Sequence, residues 1–448
     1  MPATGLTLDA ALRANRDWAM TALDRYLRIV CVSAQKQDPV ESVEFLDRTF
    51  REAGLDVRPV ATKGPPVVIA KAAGESGRSI TFYNHYDVQP ADPLAAWLSP
   101  PFEPAVRDGR LFARGVADNK ANLLARVAAV KSYRDAGLPL PSGVTFFVEG
   151  EEEVGSPHLA ETVDRVKDDL RGDLCIWESS YRDERGRFQI TLGCKGMVQG
   201  EFVVRGAKSD MHSSRAVIIP SPAWRLVQLL AALKPGDDVA IPGFDAMAVK
   251  PDAGEMALLR QIPFDEEGMR RNAGITSFVR GLTGIDLVKQ FFFAPTFNLS
   301  GITSGYQGAG HKTVLPAEAR AKFDIRLVPD MEPADVLARL RRFLDERGFG
   351  DVAIENTEGY LPARTPHTDP MVEIVRRSSV EAWGEIVVYP LTIASGPMYL
   401  FRRWMPCAGI GVGNATSNIH APNENVVIED YHTGARHVAA LLRMMGEA

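Results

Sequence analysis

The sequence is poor in cysteine, carries no surplus of positive charge and has no long apolar run, and each shortage excludes something. Its four cysteines, Cys31, Cys175, Cys194 and Cys407, are scattered through 448 residues with no C-x-x-C pair. That excludes a disulfide framework or a thiolate zinc knot and fits a reducing compartment. Fifty-one Lys and Arg against 57 Asp and Glu leave a net charge of −6, with no basic tail or stripe. Nothing electrostatic therefore points to nucleic acid or an anionic membrane as a partner. The first twenty residues carry Asp9, Arg13, Arg16 and Asp17 through a helical pattern. No apolar run approaches the ~18 residues that span a bilayer, so a cytoplasmic location with no membrane partner is expected. Internal repeats and low-complexity tracts are absent as well.

What is present is an ordinary globular composition, 45% hydrophobic and 24% charged. The length is about three times the usual ~150 residues of one domain. Thr7 can cap a helix running through Leu8, Leu12, Leu23, Leu27 and Val30, and a second helix follows at Val43, Leu46 and Phe50. Short β-branched runs at 57–61, 67–70 and 80–83, a helical pattern over 119–136, a strand at 144–148, a helix after Ser156 and a strand at 174–177 then alternate. Such alternation predicts an α/β sheet covered by helices on both faces. From Met197 the pattern changes to strands at 201–204 and 319–327 and helices at 222–233 and 336–343, a smaller α+β unit. Residues 234–278 have weak periodicity and read as a long surface excursion. After Thr365 the first style resumes, with a helix at 371–383, strands at 386–389 and 407–412, and a closing helix past Asp430. The boundaries expected are 1–196 and 365–448 for one domain and 197–364 for a domain inserted into it.

Five strings carry possible chemistry. His85-Tyr86-Asp87 ends an apolar strand, where alternate side chains share a face, so a ligand and a carboxylate that orients it can meet there. Asp118, within Arg114-Gly115-Val116-Ala117-Asp118-Asn119-Lys120, opens the long helix; it can cap that helix, contribute to a site, or both. Glu149-Gly150-Glu151-Glu152-Glu153 follows a core strand, either as a solvated acidic loop or as carboxylates whose repulsion a cation offsets. Trp177-Glu178 and Asn418-Ile419-His420 complete the set. Singly each is unremarkable. Together His85, Asp118, Glu153, Glu178 and His420 all fall just past strands or at a helix start, where α/β sheets assemble sites. That donor set suits two divalent ions sharing one carboxylate and a hydroxide, with charges that cancel. Glu152 is then left free to take a proton from the water and pass it to a leaving amine.

In this order and at these spacings, the H-x-D, G-R-G-x-x-D-N-K, E-E-x-G-S, lone acidic and C-terminal His elements resemble the co-catalytic dinuclear zinc peptidases. That family includes carnosinase, aminoacylase, glutamate carboxypeptidase and succinyl-diaminopimelate desuccinylase. The resemblance implies a zinc-exopeptidase-like α/β fold whose inserted domain serves dimerisation as a lid. It implies His85 and Glu178 on one metal, Glu153 and His420 on the other, Asp118 bridging with a cis peptide after it, Asp87 orienting His85, and Glu152 as general base and then general acid. In the inserted segment, Asp210-Met211-His212-Ser213-Ser214 resembles the family's histidine that reaches a neighbouring subunit's site and stabilises the oxyanion, which implies a homodimer with His212 shared. Lys312-Thr313-Val314-Leu315-Pro316 and Asp324-Ile325-Arg326 resemble the carnosinase-like segment whose Thr and Arg hold a substrate carboxylate. A planar guanidinium suits that task, although Arg326 also fits a plain surface ion pair. Ser395 lies in Ala394-Ser395-Gly396-Pro397, similar to the loop that closes on the far end of a substrate; Ile393 and Ala394 stand where that loop often has glycines.

The implied activity is hydrolysis of dipeptides or short peptides with a free carboxylate by a metal-bridging hydroxide. N-acyl amino acid deacylation is the near alternative and a non-catalytic metal-binding homologue the distant one. Two divalent ions are expected, Zn²⁺ first and Mn²⁺ or Co²⁺ as alternatives. His158, His311 and His432 match nothing and are expected at the surface, with His367 a minor substrate-contact candidate.

Overall fold

The computed structural model describes residues 6–448, so the first five residues of the segment expected over 1–196 lie outside the described residues. Two compact units emerge. The first comprises the chain up to Gly193, Thr365–Pro390 and Leu400–Ala448; the second comprises Cys194–Arg364 and Leu391–Tyr399. The short stretch Leu391–Tyr399, read in sequence as part of the first domain, belongs with the second unit.

The first unit is built on a ten-stranded mixed sheet. Its centre is parallel: Ser79–His85 lies between Gly143–Glu149 and Leu174–Trp177, and Cys407–Gly409 continues beyond Leu174–Trp177. These strands are continuously apolar and buried, as expected where helices cover both faces. Alternation sorts the side chains. Phe82 and Phe146 point to one face, where Phe50 of the helix Val40–Glu52 and Arg126 of the helix Ala121–Asp135 meet their rings. Thr81, Tyr83 and Phe147 point to the other, where the Thr81 hydroxyl donates to Leu170 O of the helix Leu159–Leu170 and Phe401 packs edge-on to the rings. With its centre clad on both sides, the sheet leaves the C-terminal ends of the parallel strands as the place for a site.

The N-terminal pattern is two helices, Leu8–Ala14 capped by Thr7 and Arg16–Arg28, broken at Asn15. Asn15 is buried and its amide donates to Ser132 and Asp135, which draws the chain out of one straight helix. The closing helix Ile428–Glu447 is buried on nearly all sides between Ala121–Asp135 and Pro370–Trp383. His432, expected at the surface, is therefore only 9% exposed.

In the second unit an antiparallel sheet runs Asn298–Ser304, Glu318–Leu327, Gly196–Arg205, Ala353–Tyr360. Strict alternation along Glu318–Leu327 buries Ala319, Ala321, Phe323, Ile325 and Leu327. They pack with Leu226, Leu229 and Leu233 of the helix Pro222–Leu233 and with Val336, Leu340 and Phe343 of Pro333–Glu346. Gly200 sits opposite Phe323, whose ring would lie 2.7 Å from any Cβ there. The stretch 234–278 runs largely at the surface, as expected, but it is anchored and partly helical: Ile241 and Phe244 enter this core, and the helices Ala253–Leu259 and Glu266–Ala273 form within it. Pro, Gly and Asp set its turns, while scattered single apolar residues anchor it without a readable period.

Candidate active site

His85 ends its central strand with no exposed surface. Its Nδ1 lies 3.0 Å from the main-chain oxygen of Asp87 and 3.4 Å from the Asp87 carboxylate, and its Nε2 is 3.0 Å from Asp118 Oδ1. The orienting group is thus chiefly the Asp87 carbonyl. The carboxylate itself, fully buried, accepts the backbone N–H groups of Glu152 at 3.3 Å and Glu153 at 3.1 Å. One aspartate therefore ties the His85 strand end to the acidic loop that follows the neighbouring strand.

Asp118 has φ −128°, outside helical values, and a cis peptide links it to Asn119. The long helix begins only at Ala121, and Asp118 does not cap it. Its two oxygens instead face two imidazoles, His85 and, at 3.2 Å, His420. His420 Nε2 also lies 3.1 Å from Glu153 Oε2, which the Gln89 amide steadies at 3.0 Å. Gly150 lets the acidic loop pass Tyr86, whose ring would meet a Cβ at 2.2 Å.

Among the described residues three groups hold potential ligand atoms within 4.8 Å of one another: His85, Asp118 and Glu178; Asp118, Glu153 and His420; and His85, Glu152 and Glu153. The first two share Asp118. Electrostatics mark the same place. Burial, then the charges of Asp118 and Glu153, push the Glu178 carboxyl up to about 8; burial and the Glu178 charge push Glu152 well above the carboxylate range. Hydrogen bonds to Asp118 and Glu153 raise His420 to about 10. For His85 burial pulls downward, but the bonds to Asp118 and Asp87 outweigh it and hold the ring well above the usual value. Carboxylates that resist ionising beside imidazoles that cling to protons are a cluster built for added positive charge.

The donor set fits divalent metal. Glu178 Oε2 is buried with no hydrogen-bond partner among the described residues. A buried carboxylate oxygen without a donor is costly unless a cation meets it. Mixed imidazole and carboxylate donors suit Zn²⁺, Mn²⁺ or Co²⁺.

Other residues support the site, and the chief of them, Arg126, carried no sequence signal of its own. Arg126, with almost no exposed surface, gives Nη1 to Tyr83 O and Asn84 Oδ1 and Nη2 to the carbonyls of Trp177, Glu178 and Ile410, all within 3.1 Å. It pins three strand ends directly behind His85 and Glu178. Asn84 Nδ2 donates to Asn119, whose own amide reaches Glu178 O at 3.2 Å. Glu149 accepts from Tyr83 and Ser156 at 2.6 and 2.9 Å, and burial pushes its carboxyl up to about 7. A buried Arg or Asn becomes legible only once the fold supplies its carbonyl partners.

The remaining predicted site residues belong to the second unit, in two places. His212, exposed, accepts from Ser214 N–H and pairs in register with Val314, and Thr313 O accepts from Ser213 N–H at 3.2 Å. Arg326 Nη1 donates to Ser395 Oγ at 2.7 Å, and Lys195 pairs with Ser395 across a bridge. Lys195, overlooked in the sequence, is buried and gives its ammonium to Phe291 O and Ala294 O; burial and Arg326 lower it to about 8. His158 is half-buried against Glu151 at 2.8 Å, His311 is exposed and His367 half-buried.

The model of the peptidase family M20/M25/M40 matches residues 81–444. An M20 family metallo-carboxypeptidase from Sulfolobus solfataricus superposes with a TM-score of 0.87 at 31% identity, covering 96% of this chain and 99% of that one. The Beta-Ala-His dipeptidase of Rattus norvegicus is 27% identical over 84% of this chain and 79% of its own length. The Cys-Gly metallodipeptidase of Schizosaccharomyces pombe is 28% identical over 72% of this chain and 71% of its own.

Proposed function

The chain belongs to the peptidase family M20/M25/M40 and is a hydrolase, and from that premise we propose that it cleaves the amide bond of dipeptides or short peptides bearing a free carboxylate. The carrying observation is the convergence of His85, Asp118, Glu153, Glu178 and His420 around a shared aspartate, with the Glu178 oxygen unpartnered. In this reading His85, Asp118 and Glu178 would hold one ion and Asp118, Glu153 and His420 the other. Bound there, two divalent ions would supply charge that offsets the carboxylates and Lewis acidity toward a carbonyl oxygen and water.

The chain's own residues do the rest. Asp87 fixes the backbone of 152–153, and with it the direction of Glu152. Glu152 accepts a proton from the attacking water at its carboxylate oxygen and returns it to the amine nitrogen as the C–N bond breaks, so the proton count closes over a turnover. The partner's His212 donates to the oxyanion of the tetrahedral intermediate. Arg326, steadied by Ser395, receives the substrate carboxylate, in keeping with a carboxypeptidase among the structures similar to this chain; Thr313, which lies beside His212, is a substrate contact supplied together with that histidine.

The first unit acts as the catalytic domain, and the second, the expected insertion 197–364 together with Leu391–Tyr399, as the dimerisation or lid domain. A homodimer is supported by Val217, Ile218, Trp224 and Val227, apolar yet 86%, 81%, 69% and 51% exposed on or beside one helix of the second unit. The edge strand Asn298–Ser304 also leaves Ile302 uncovered. Zinc is the first choice of metal. No helix among the described residues is long and apolar enough to cross a membrane. Four buried cysteines outside any disulfide among the described residues accord with a cytoplasmic location.

A panel of unblocked dipeptides against N-acetyl and N-succinyl amino acids tests the proposal. Turnover of the dipeptides supports it; exclusive turnover of the acylated compounds replaces it with deacylation, and no turnover of either by metal-loaded protein favours a non-catalytic homologue.

A further inference from the structure

Four residues past His420 stands Glu424, to which the reaction above gives no task. Glu424 is 1% exposed, and its two oxygens receive four donors. Oε2 accepts from Arg114 Nη1 and from Gly115 N–H, each at 2.8 Å. Oε1 accepts from Ala117 N–H at 2.8 Å and Asp118 N–H at 3.1 Å. Ala113 N–H adds a bond to the Glu424 carbonyl at 3.1 Å. Three backbone N–H groups of one short loop converge on this anion, in the manner of an anion-binding nest, and here the anion is a side chain of the protein.

The two ends of this clamp matter. One is the loop 113–118, which delivers Asp118. The other is the loop that delivers His420, held in a tight conformation by left-handed Asn418, His420 and Asn423 at φ 52°, 61° and 62°. Asn425 closes that loop at its base, N–H to Ser417 O at 2.9 Å and Nδ2 to Thr416 O at 2.7 Å. Beyond it, Asn425–Val427 pairs antiparallel with Arg110–Phe112. The His420 ring is 52% exposed, and its polar partners among the described residues are Asp118 and Glu153. Its position relative to Asp118 therefore depends on how the two loops are joined, and the buried join is Glu424.

We propose that Glu424 is a positioning residue that sets the spacing of Asp118 and His420, and so acts selectively on the ion site built from Asp118, Glu153 and His420 rather than on the one built from His85, Asp118 and Glu178. The latter is held from behind by Arg126 and Asn119, which do not touch Glu424. The inference rests on the ligand reading above.

The test titrates Zn²⁺ alone, in competition with a chromophoric chelator, into full-length wild type and into Glu424→Gln, Glu424→Asp and Arg114→Met/Glu424→Met, with thermal melts of the metal-free chains and kcat and KM for a dipeptide. In Glu424→Gln an amide NH₂ faces two N–H donors, so one of the two ions should bind about 10–100-fold more weakly, the size typical of outer-shell changes. The other ion should stay within about threefold, and kcat should fall while KM moves less than about threefold. Glu424→Asp, which keeps charge but loses reach, should lie between. Should Glu424→Gln fail to fold, the double variant removes the buried charge together with its guanidinium and carries the same readout. Two ion affinities within about twofold of wild type in any folded variant, whatever its melting temperature, overturn the inference, as does an equal loss at both sites. A wild-type chain that takes up fewer than two ions overturns the ligand reading and this inference together; wild type with two ions and unaffected variants overturns the inference alone.

Discussion

Asp87→Asn probes the joint between the His85 strand and the acidic loop. The native carboxylate accepts two N–H groups, from Glu152 at 3.3 Å and Glu153 at 3.1 Å, and lies 3.4 Å from His85 Nδ1. Asparagine keeps one acceptor and turns an NH₂ toward the other donor in a fully buried place. A charge-assisted bond is lost and a buried N–H orphaned, a penalty of about 1.5–3 kcal/mol. If that penalty appears as misplacement of Glu152 and His85 in the transition state, kcat falls roughly 10–100-fold, since 1.36 kcal/mol is tenfold. Steady-state kinetics on a dipeptide, with ion content measured on the same sample, reads it. The expected result is the fall in kcat, with weaker uptake of one ion and a folded chain. A folded variant with kcat within about twofold of wild type refutes the role assigned to the Asp87 carboxylate.

Glu152→Gln should retain both ions and lose about 10²–10⁴-fold in kcat, the usual worth of a general base, because Glu152 is not a ligand in this reading; retained turnover, or loss of an ion, contradicts it. Arg326→Met should raise KM for free dipeptides about 10–100-fold and leave C-terminally amidated dipeptides unchanged, whereas an equal effect on both would show that the guanidinium does not read the carboxylate. His437 is buried with Trp383 Nε1 donating to its Nδ1 at 3.1 Å and Ser379 Oγ at 3.1 Å from Nε2, and burial, with Arg126 nearby, lowers it to about 3. The unfolded chain, with a histidine near 6.5, then binds the extra proton between those values, so wild type loses stability as pH falls through that window. The advantage of wild type over His437→Gln in urea unfolding should therefore shrink by about 2 kcal/mol between pH 7 and 5; a constant gap contradicts the buried neutral ring.

Most of the donors are legible in the sequence because His85, Glu153 and Glu178 stand at the end of apolar strands or just past them and Asp118 just before a helix, and parallel strands deliver their ends to one edge of a sheet; His420, in a loop, is legible through the C-terminal His element alone. His85, Asp118, Glu153, Glu178 and His420 meet there in the structure. Legibility stops where one residue works through long-range backbone contacts. Arg126 answers carbonyls from Tyr83 to Ile410, and Glu424 receives N–H groups about three hundred residues away; neither spacing leaves a pattern. Burial on all sides defeats periodicity in a second way. The helix Ile428–Glu447 lies within a helical layer, so its histidines, including His432, are interior although its sequence carries polar residues throughout. The anchors of the otherwise exposed stretch 234–278 escape notice for the opposite reason: Ile241 and Phe244 fix it to the core as isolated residues, without the repeat by which helices and strands are read.

The central claim is that these donors hold a pair of cations on which hydrolysis depends. Elemental analysis of the purified chain, combined with dipeptide turnover as a chelator withdraws the metal and added Zn²⁺ or Mn²⁺ returns it, tests that most directly. The account predicts two ions per chain, turnover that disappears as they leave and returns when both are restored. An active chain holding one ion or none, or turnover that survives complete removal of metal, contradicts it.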